Sequence, residues 1–498
     1  MKTLLQGGKV LTLDGKERYY EKGDVLFEDG KILDVGEKLS TEGAQVVDCR
    51  GHLVMPGLVN AHLHSDENLF RGLFDNLPLE IWMLYSCPVL QYGPFSERLI
   101  YLRTMLGAIE MVKSGITSVQ DDVSESPVGT VGGYNQVFKA YEDIGLRANV
   151  AMNQPTRTYV DKLPYVREII PTEIQKEFGP ASDGSGNLAL YEEIIRTWNG
   201  RSNVKVVVST SAPQRCSDEY LQKAYAMAER YDLPFHTHTL ETKTQRVTGY
   251  EFYGKTIIGH IKDLGLLTDR TTIIHCIWVD DDDIEMMGQA RVNVAHNPVS
   301  NLKLGSGIMP WYKLKKAGAN VVLGTDGVSS NDSQSIFEGM KLAALLHKVS
   351  TPDFRQWPTS ADALAMATTN AAKSLRRSEE IASLEAGKRA DIVVLDASTP
   401  AFTPFNDVKN HLVYCENGSS VRKVYVDGRL VVLDGKVLTV DEKALLDELR
   451  SLMPEFQAKF RETAKVNDRL FSSLEDMYWR CMNQNVSLNR FSSQDLHL

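Results

Sequence analysis

The chain has 498 residues, a hydrophobic fraction of 43%, a charged fraction of 24% and a net charge of −10. It is long enough for one large and one smaller domain, and a chain of this size needs no disulfides to complete a core. The acidic balance argues against nucleic acid or an anionic membrane surface as the main partner, because both attract basic patches.

Targeting and redox signals are weak. The six cysteines are scattered and form no Cys-x-x-Cys pair, which favours reduced thiols. The N-terminus turns polar by Gln6, before an apolar signal-peptide core is reached. No stretch of the sequence approaches the ~18 apolar residues of a membrane span. We therefore expect a cytoplasmic protein.

Both ends of the chain contain short β-type runs separated by turn signals. The first 55 residues or so include DVLFEDGKILDVG, with Asp-Gly pairs that suit hairpin turns. The same texture returns in ADIVVLD (390–396) and after it. Because each half alone is small and rich in edges, we predict one small β-sandwich built from residues 1–56 plus 386–441.

Between these ends, short apolar strands alternate with helical stretches such as ERLIYLRTMLGAIEMVKSG. The eight predicted strands are GLVNAHLH, GITSVQDD, RANVAMN, VKVVVSTSA, PFHTHTL, TTIIHC, RVNVAHN and ANVVLGTDG. This α/β pattern predicts a (β/α)8 TIM-type barrel over residues 57–385. A doubly wound open sheet is the alternative, but no GxGxxG follows an early strand.

Two segments depart from this alternation. Residues 156–186 are polar and rich in Pro and Gly near their end, which predicts an extended loop or lid over the barrel mouth. Residues 442–498 contain one amphipathic stretch and then a Ser- and Asn-rich tail. We predict a C-terminal helical extension there.

Metal-binding residue types stand at the ends of predicted strands, where a barrel of this kind carries its active site. His62 and His64 are two residues apart, so both point to one face of the first strand. The fifth strand carries a second such pair, His236 and His238. We choose His238 as the ligand because it places Glu241 at the start of the following loop, and we give His236 a structural role.

Two further strands end in polar residues. His275 ends the sixth strand, where a buried neutral histidine is the plain alternative, and Asp326 ends the eighth, where a turn or cap role is the alternative. Together with the earlier histidines they predict a site for one divalent metal. We expect Zn²⁺, with Fe²⁺ as the second choice, because three histidines and one carboxylate leave a position for water.

Such a site activates water for hydrolysis. A bound Zn²⁺ or Fe²⁺ lowers the pKa of its water from ~15.7 toward ~7. We predict that Asp326 accepts the water proton and that His275 holds and polarises the attacking oxygen. Glu241 then carries a proton to a ring nitrogen of the substrate, and collapse of the tetrahedral centre expels ammonia or another leaving group.

Several motifs resemble the amidohydrolase superfamily, especially its aminohydrolase and chlorohydrolase branch. They are VMPGLVNAHLH, HTHTLE, HNPVSNLKLGSGIMPWYKLKKAGANVVLGTDGVSSND, ATTNAAKSL and SLEAGKRADIVVLD. The resemblance covers about residues 1–440. It implies a β-sandwich beside a barrel, the metal ligands and proton-transfer residues named above, and usually zinc or iron. No lysine stands at a middle strand end to bridge two metals, so one metal is favoured.

The resemblance also suggests pocket residues. RGLFDNLPLEIWM is similar to the first loop of the family's deaminases, with Arg71 and Trp82 in matching places. The nucleoside-type deaminases carry a glutamate where Gln91 stands, and a His-Ser-Pro turn where TSAPQRC stands, which contains Gln214. Both departures weaken the case for a ribose-bearing substrate. The candidate substrate contacts are therefore Arg71, Trp82, Gln91, Gln214 and Asn301. A packing role suits each of them equally.

The leading prediction is therefore a hydrolase of carbon–nitrogen bonds other than peptide bonds. It would deaminate a purine-, pterin-, pyrimidine- or triazine-like ring. The alternative keeps the site and changes the leaving group to chloride, an alkylamine, or an amide or urea nitrogen. A non-catalytic scaffold is disfavoured by the complete ligand set. We expect a small-molecule substrate, no nucleic-acid or membrane partner and, by the resemblance, a homo-oligomer.

Overall fold

The structure is a computed structural model that describes residues 2–91, 93–125, 129–201 and 203–493. Its strands are β1 (Thr3–Leu11), β2 (Tyr19–Glu28), β3 (Lys31–Gly36), β4 (Gln45–Asp48), β5 (His52–Pro56), β6 (Leu58–Leu63), β7 (Ile116–Val123), β8 (Arg147–Met152), β9 (Val204–Ser209), β10 (Phe235–Thr239), β11 (Thr271–His275), β12 (Asn293–His296), β13 (Asn320–Leu323), β14 (Ile392–Asp396), β15 (Val421–Val426), β16 (Arg429–Leu433) and β17 (Lys436–Val437).

The α-helices of the described residues lie mostly between the barrel strands and after the last sheet strand. They are α1 (Leu79–Ser86), α2 (Glu97–Lys113), α3 (Val131–Ile144), α4 (Val166–Ile169), α5 (Thr172–Gln175), α6 (Ser185–Trp198), α7 (Asp218–Arg230), α8 (Lys243–Tyr253), α9 (Ile257–Asp263), α10 (Asp281–Gln289), α11 (Pro298–Lys303), α12 (Trp311–Ala317), α13 (Val328–Asn331), α14 (Ile336–Leu346), α15 (Ser360–Met366), α16 (Thr369–Ser374), α17 (Val408–Asn410), α18 (Glu442–Asn467) and α19 (Phe471–Met482). Short 3-10 helices cover Ser65–Phe70, Tyr159–Asp161, Pro213–Arg215, His347–Val349, Phe354–Gln356, Pro400–Phe402 and Asp468–Leu470, and a π-helical turn covers His411–Cys415.

The strands β6 to β13 form a parallel sheet in chain order. Seven of them lie within the predicted strand segments, and β7 extends one residue beyond its segment, GITSVQDD. Closure comes at the mouth, where the backbone N–H of Asp326 donates to the carbonyl of His62 at 3.0 Å. The predicted (β/α)8 barrel is confirmed, and the doubly wound alternative is wrong.

The barrel strands are apolar because both of their faces are covered. All six residues of β6 and all eight of β7 are buried. The flanking helices begin at capping side chains, as where the Ser96 hydroxyl accepts the N–H of Leu99 at the start of α2. Burying an unpaired polar group costs free energy, so histidines on such strands call for a partner.

Strands from both chain ends form a second sheet, in the order β17-β16-β15-β14-β5-β1-β2-β3, with β4 also beside β1. The central contact is antiparallel, between β5 just before the barrel and β14 just after it. This sheet has its own apolar core, which includes Val25, Phe27 and Ile392. The two chain ends therefore combine as predicted.

A buried ion pair joins this sheet to the barrel. The Arg147 guanidinium, at the start of β8, donates to both carboxylate oxygens of Asp391, at 2.8 and 3.0 Å. Each side chain is only 2% exposed. Asp391 also accepts the N–H of Asp427 at 2.7 Å. The amino-terminal end of the barrel is thereby fixed to the terminal sheet.

The C-terminal extension contains two helices, α18 and α19, where the sequence predicts one helix and a looser tail. Both pack against α1, which borders the barrel mouth. Among the described residues, no helix combines the length and the apolar character that crossing a membrane requires. We propose that residues 1–56 plus 386–441, 57–385 and 442–498 act as three structural units, the last five residues lying outside the described ones.

Candidate metal centre and active site

The four predicted metal ligands come together at the carboxyl end of the barrel. One ring nitrogen from each of His62, His64 and His238 lies within 4.8 Å of the other two. Nε2 of His64 is 3.3 Å from Nε2 of His238. Oδ1 of Asp326 lies 3.4 Å from Nε2 of His62 and 3.3 Å from Nε2 of His64. These distances are expected of atoms that are ligands of one cation.

The spacings fit a single four-coordinate cation. Zinc–ligand bonds of about 2.0–2.1 Å at tetrahedral angles place neighbouring ligand atoms about 3.3–3.4 Å apart. His62 is fully buried, yet in the described part of the chain neither of its ring nitrogens has a hydrogen-bond partner. A cation bound to one of these two nitrogens would accept its lone pair. Three imidazoles and one carboxylate suit zinc or iron.

Backbone carbonyls fix the orientation of two of these rings. Nδ1 of His64 is 2.6 Å from the carbonyl oxygen of Asp122, and Nδ1 of His238 is 2.9 Å from that of Ser211. A carbonyl oxygen only accepts, so each Nδ1 carries the proton. Each Nε2 therefore presents its lone pair to the common point, as metal-binding histidines do.

Two glycines allow Asp326 to reach this point. A Cβ at Gly324 would lie 2.7 Å from the carbonyl oxygen of His62, and a Cβ at Gly327 would overlap the Glu67 carboxylate. Asp326 itself has a φ of +63°, in the left-handed region. Only glycine on both sides lets the chain turn here and stay hydrogen-bonded to the first barrel strand.

The imidazole ring of His275 faces the carboxyl groups of Glu241 and Asp326. Its φ of +74° ends β11 in a sharp turn. Nδ1 is 2.9 Å from Oδ1 of Asn301, and Nε2 is 3.4 Å from Oε2 of Glu241 and 3.9 Å from Oδ2 of Asp326. The amide oxygen only accepts, so the Nδ1 proton points to Asn301. Burial lowers the pKa of His275, which leaves a neutral ring whose Nε2 is an acceptor.

The two carboxyl groups differ in protonation. Burial, together with the charges of Asp326 and Glu80, raises the pKa of Glu241 well above its ordinary value. Burial acts in the same direction on Asp326, but its close contacts with the imidazole rings of His62 and His64 outweigh it and hold the pKa of Asp326 well below its ordinary value. A protonated acid beside an ionised base is the arrangement that acid–base catalysis requires.

These side chains border a cavity of about 1120 Å³. Trp82 and Gln214, two of the predicted substrate contacts, line it. The segment 156–186 forms part of its wall, and short helical turns at Tyr159–Asp161, Val166–Ile169 and Thr172–Gln175 interrupt the predicted extended loop. The rings of Tyr159 and Phe178 brace this segment at 5.0 Å.

Three other predicted substrate contacts lie away from the cavity lining. Arg71 forms an ion pair with Glu110 at the surface. Gln91 is exposed to solvent. Asn301 is buried, but its side chain contacts His275 instead. The positions of Arg71 and Gln91 do not support a substrate contact, and that of Asn301 indicates a role in orienting His275.

Two buried carboxyl groups that line the cavity are not predicted from the sequence. Glu67 accepts the hydroxyl of Ser329, and burial raises the pKa of Glu67 to about 8. Glu80 accepts the hydroxyl of Thr242 at 2.5 Å, and its other oxygen is buried without a partner in the described residues. Glu67 could have been found, since it follows the first histidine pair by three residues. Glu80 lies in the apolar stretch LEIWM, which gives no such signal.

His236 does not join the ligand cluster. It is fully buried on β10, two residues before His238, and within the described residues its ring nitrogens have no hydrogen-bond partner. Burial lowers the pKa of His236 to about 3, so the ring is neutral. Its structural role stays a prediction.

A barrel with these side chains at its mouth defines a class, the metal-dependent hydrolases. The family model described as "Amidohydrolase family" matches residues 53–431. The chain therefore belongs to the amidohydrolase family, and it is a hydrolase of carbon–nitrogen bonds other than peptide bonds, as the sequence predicts.

Two curated relatives illustrate the similarity. A 5'-deoxyadenosine deaminase of Methanosarcina acetivorans is 36% identical over 431 residues, which span 86% of this chain and 92% of the relative. A 5-methylthioadenosine/S-adenosylhomocysteine deaminase of Desulforamulus reducens is 33% identical over 439 residues, which span 86% and 93%.

Two solved structures share the fold. An adenosine deaminase from Xanthomonas campestris with bound zinc has a TM-score of 0.80 at 26% identity, over 93% of this chain and 98% of that chain. An atrazine chlorohydrolase from Arthrobacter aurescens complexed with zinc has a TM-score of 0.83 at 24% identity, over 91% and 100%.

Proposed function

We propose that the protein deaminates a nitrogen heterocycle of the purine, pterin, pyrimidine or triazine type by hydrolysis at a single-metal site. The observation that carries this proposal is the placement of Glu241, whose pKa is raised, and Asp326, whose pKa is lowered, at 3.4 and 3.9 Å from Nε2 of His275. The relatives named as deaminases, at 36% and 33% identity, support a ring amine as the leaving group.

A divalent cation held by the four ligands would supply Lewis-acid activation of a water molecule. The ionised Asp326 accepts the proton of that water, and Nε2 of His275 accepts its second hydrogen bond and holds it in place. Glu241 donates its proton to a ring nitrogen, which draws negative charge from the attacked carbon. Asp326 then passes the proton taken from the water to the amine, and the carbon–nitrogen bond breaks to release ammonia. As the carbonyl forms, the proton of its hydroxyl group returns to Glu241.

The second candidate keeps the same residues and releases chloride, an alkylamine, or an amide or urea nitrogen. The shared fold with an atrazine chlorohydrolase is the observation in its favour. The acid–base pair of Glu241 and Asp326 favours deamination, because an amine must gain a proton to leave as ammonia, whereas chloride leaves without one. A non-catalytic scaffold would not require an acid and a base placed beside four metal ligands.

We further propose one Zn²⁺ per chain, a cytoplasmic location and a homo-oligomer. The donor set supports zinc, as does the zinc in both similar structures. The six unpaired cysteines support a reducing compartment. The oligomer rests on the resemblance alone.

A release assay tests the function. The zinc-loaded protein is incubated with 5'-deoxyadenosine, guanine, pterin, cytosine, melamine and a chlorotriazine, and ammonia and chloride are measured separately. We expect ammonia from at least one aminated ring. Chloride without ammonia would favour the second candidate. Release of neither, from protein that holds one equivalent of zinc, would contradict both.

A further inference from the structure

One wall of the cavity carries positive charge that the proposed chemistry does not use. Arg157, Lys162 and Arg215 all line the cavity, and we call them the basic wall. In the described part of the chain, none of the three forms an ion pair with a carboxylate. Asp161, the neighbour of Lys162, pairs instead with Arg167. In these residues, none of the three cations is therefore neutralised by a direct ion pair.

Two chain segments build the basic wall together. Arg157 and Lys162 come from the segment 156–186, and Arg215 follows β9. The backbone N–H of Arg157 donates to the carbonyl of Arg215 at 3.0 Å, which fixes the two segments to each other. The arrangement is thus set by backbone contacts and does not depend on flexible side chains finding each other.

The charged groups themselves have weak partners. The Arg215 guanidinium lies 3.0 Å from Sδ of Met83 and 3.5 Å from Oγ of Ser211. Among the described residues, Nζ of Lys162 has no hydrogen-bond or ion-pair partner. Burial, and the charge of Arg215, lower the pKa of Lys162 to about 8. Gathering these cations costs free energy that a bound anion would offset.

The basic wall borders the same cavity as the reacting groups, and one of its members, Arg215, lies within electrostatic reach of Glu241. The charge of Arg215 acts on the pKa of Glu241 and on that of Lys162 alike. A ligand seated beside Glu241 can therefore extend toward the basic wall. The cavity, at about 1120 Å³, exceeds the roughly 300–1,000 Å³ usual for pockets that hold drug-sized ligands. A bare ring leaves much of this space unfilled.

We propose that the basic wall binds an anionic substituent of the substrate, a carboxylate or a phosphate, so that the substrate is an acidic heterocycle. This inference rests on the proposed function, since it names the substrate class of the same site. Guanidinium groups bind such anions through paired N–H donors, and the ammonium group adds a point charge. The ring is then oriented with its amine toward Glu241 and its anionic group toward Lys162.

Matched ligand pairs test the inference by binding rather than turnover. The zinc-loaded Glu241→Gln variant, in which turnover is suppressed, is titrated calorimetrically with pterin and pterin-6-carboxylate, and with 5'-deoxyadenosine and adenosine 5'-monophosphate. The first pair probes a carboxylate and the second a phosphate. We expect the anionic member of at least one pair to bind about tenfold more tightly or better, since hydrogen bonds to charged groups are stronger than those between neutral groups.

Charge-removing variants locate the effect. Lys162→Met and Arg157→Gln should each weaken binding of the anionic member severalfold more than binding of its neutral counterpart. Lys176→Met is the matched control: this lysine lies on the same segment, but it pairs with the exposed Glu173 and does not line the cavity. The control should keep the wild-type ratio.

The outcomes separate this inference from the function on which it rests. Equal affinity within both pairs, no binding of either anionic member at millimolar concentration, or a preference that survives both variants would overturn the basic wall as an anion site. Ammonia release from neutral rings alone would then leave the proposed function standing. Conversely, a strong anionic preference without ammonia release from any ring would keep the anion site and remove the deaminase.

Discussion

The two ends of the barrel treat buried polar groups in opposite ways. At the amino-terminal end, Arg147 and Asp391 satisfy each other through two hydrogen bonds, and further bonds to Asn203 and Asp427 complete them. At the mouth, His62 is equally buried but has no hydrogen-bond partner in the described residues. Buried polar side chains with complete hydrogen bonding mark the end that stabilises the fold. Buried polar side chains without hydrogen-bond partners mark the end that binds a ligand.

Backbone conformation follows the same division. The residues that end β11 and lead out of β13, His275 and Asp326, have φ values of +74° and +63°. Such backbone costs on the order of 1–3 kcal/mol per residue when the side chain is not glycine. The mouth therefore holds strain as well as unpaired groups, and the packed base must offset both. Substitutions at the two ends should accordingly affect different quantities.

The largest effect is expected from His238→Ala at the mouth. Removing one of three imidazoles should abolish stoichiometric zinc binding and with it measurable ammonia release. Zinc per chain, measured by plasma mass spectrometry, is the primary readout. His236→Asn is the matched control on the same strand and should keep its zinc. The reverse pattern would show that the wrong histidine of the pair has been chosen.

Glu241→Gln should lower turnover by about 10²–10⁴-fold while zinc content stays at the wild-type level, because the amide cannot donate the acid proton. The pKa of Glu241 is raised, so wild-type activity should fall on the alkaline side as this carboxyl group loses its proton. That alkaline fall should be missing from the residual activity of the variant. Unchanged turnover would remove Glu241 from the proton path.

These mouth residues could be predicted because their signals are local. A strand that is buried on both faces is an apolar run, and a histidine or aspartate at its end stands out within a few residues of sequence. The positions of His62, Asp326 and the eight barrel strands follow from that reasoning and from the family's motifs. The parallel order then brings the strand ends to one face without further information.

The loops could not be predicted in the same way. The family resemblance places Gln91 in the pocket by its spacing from Trp82, but the path of that loop is set by Asn467, which lies 377 residues from Leu90. No local pattern reports a contact at that separation. The basic wall has the same origin, because Arg157 and Arg215 meet only through tertiary hydrogen bonds.

At the base, Asp391→Ala should destabilise the fold by about 3–5 kcal/mol, since it leaves the Arg147 guanidinium buried without its counter-charge. Urea unfolding monitored by circular dichroism measures this. The control is Glu448→Ala, which breaks the ion pair with Arg98 at the surface and should cost at most ~1 kcal/mol. Similar losses in the two variants would contradict the assignment of the base as the stabilising end.

The smallest effect, and the one that probes the boundary between the two ends, is expected from Asn467→Ala. The fully buried Asn467 side chain accepts the N–H groups of Val89 and Leu90 at 3.2 Å and donates to the Leu90 carbonyl at 2.9 Å. Its loss leaves these backbone groups unpaired, at a cost of about 1–3 kcal/mol.

The stretch that Asn467 holds, from Cys87 to Val89, also lines the cavity, so the variant should raise KM more than it lowers kcat. A purely structural role would reduce stability and leave KM alone. Lys459→Ala is the control, because its ammonium group donates to the nearby Gly93 carbonyl from an exposed position and should move neither quantity. A KM shift confined to Asn467→Ala would mean that the C-terminal helices, remote in sequence from every catalytic side chain, shape the substrate pocket.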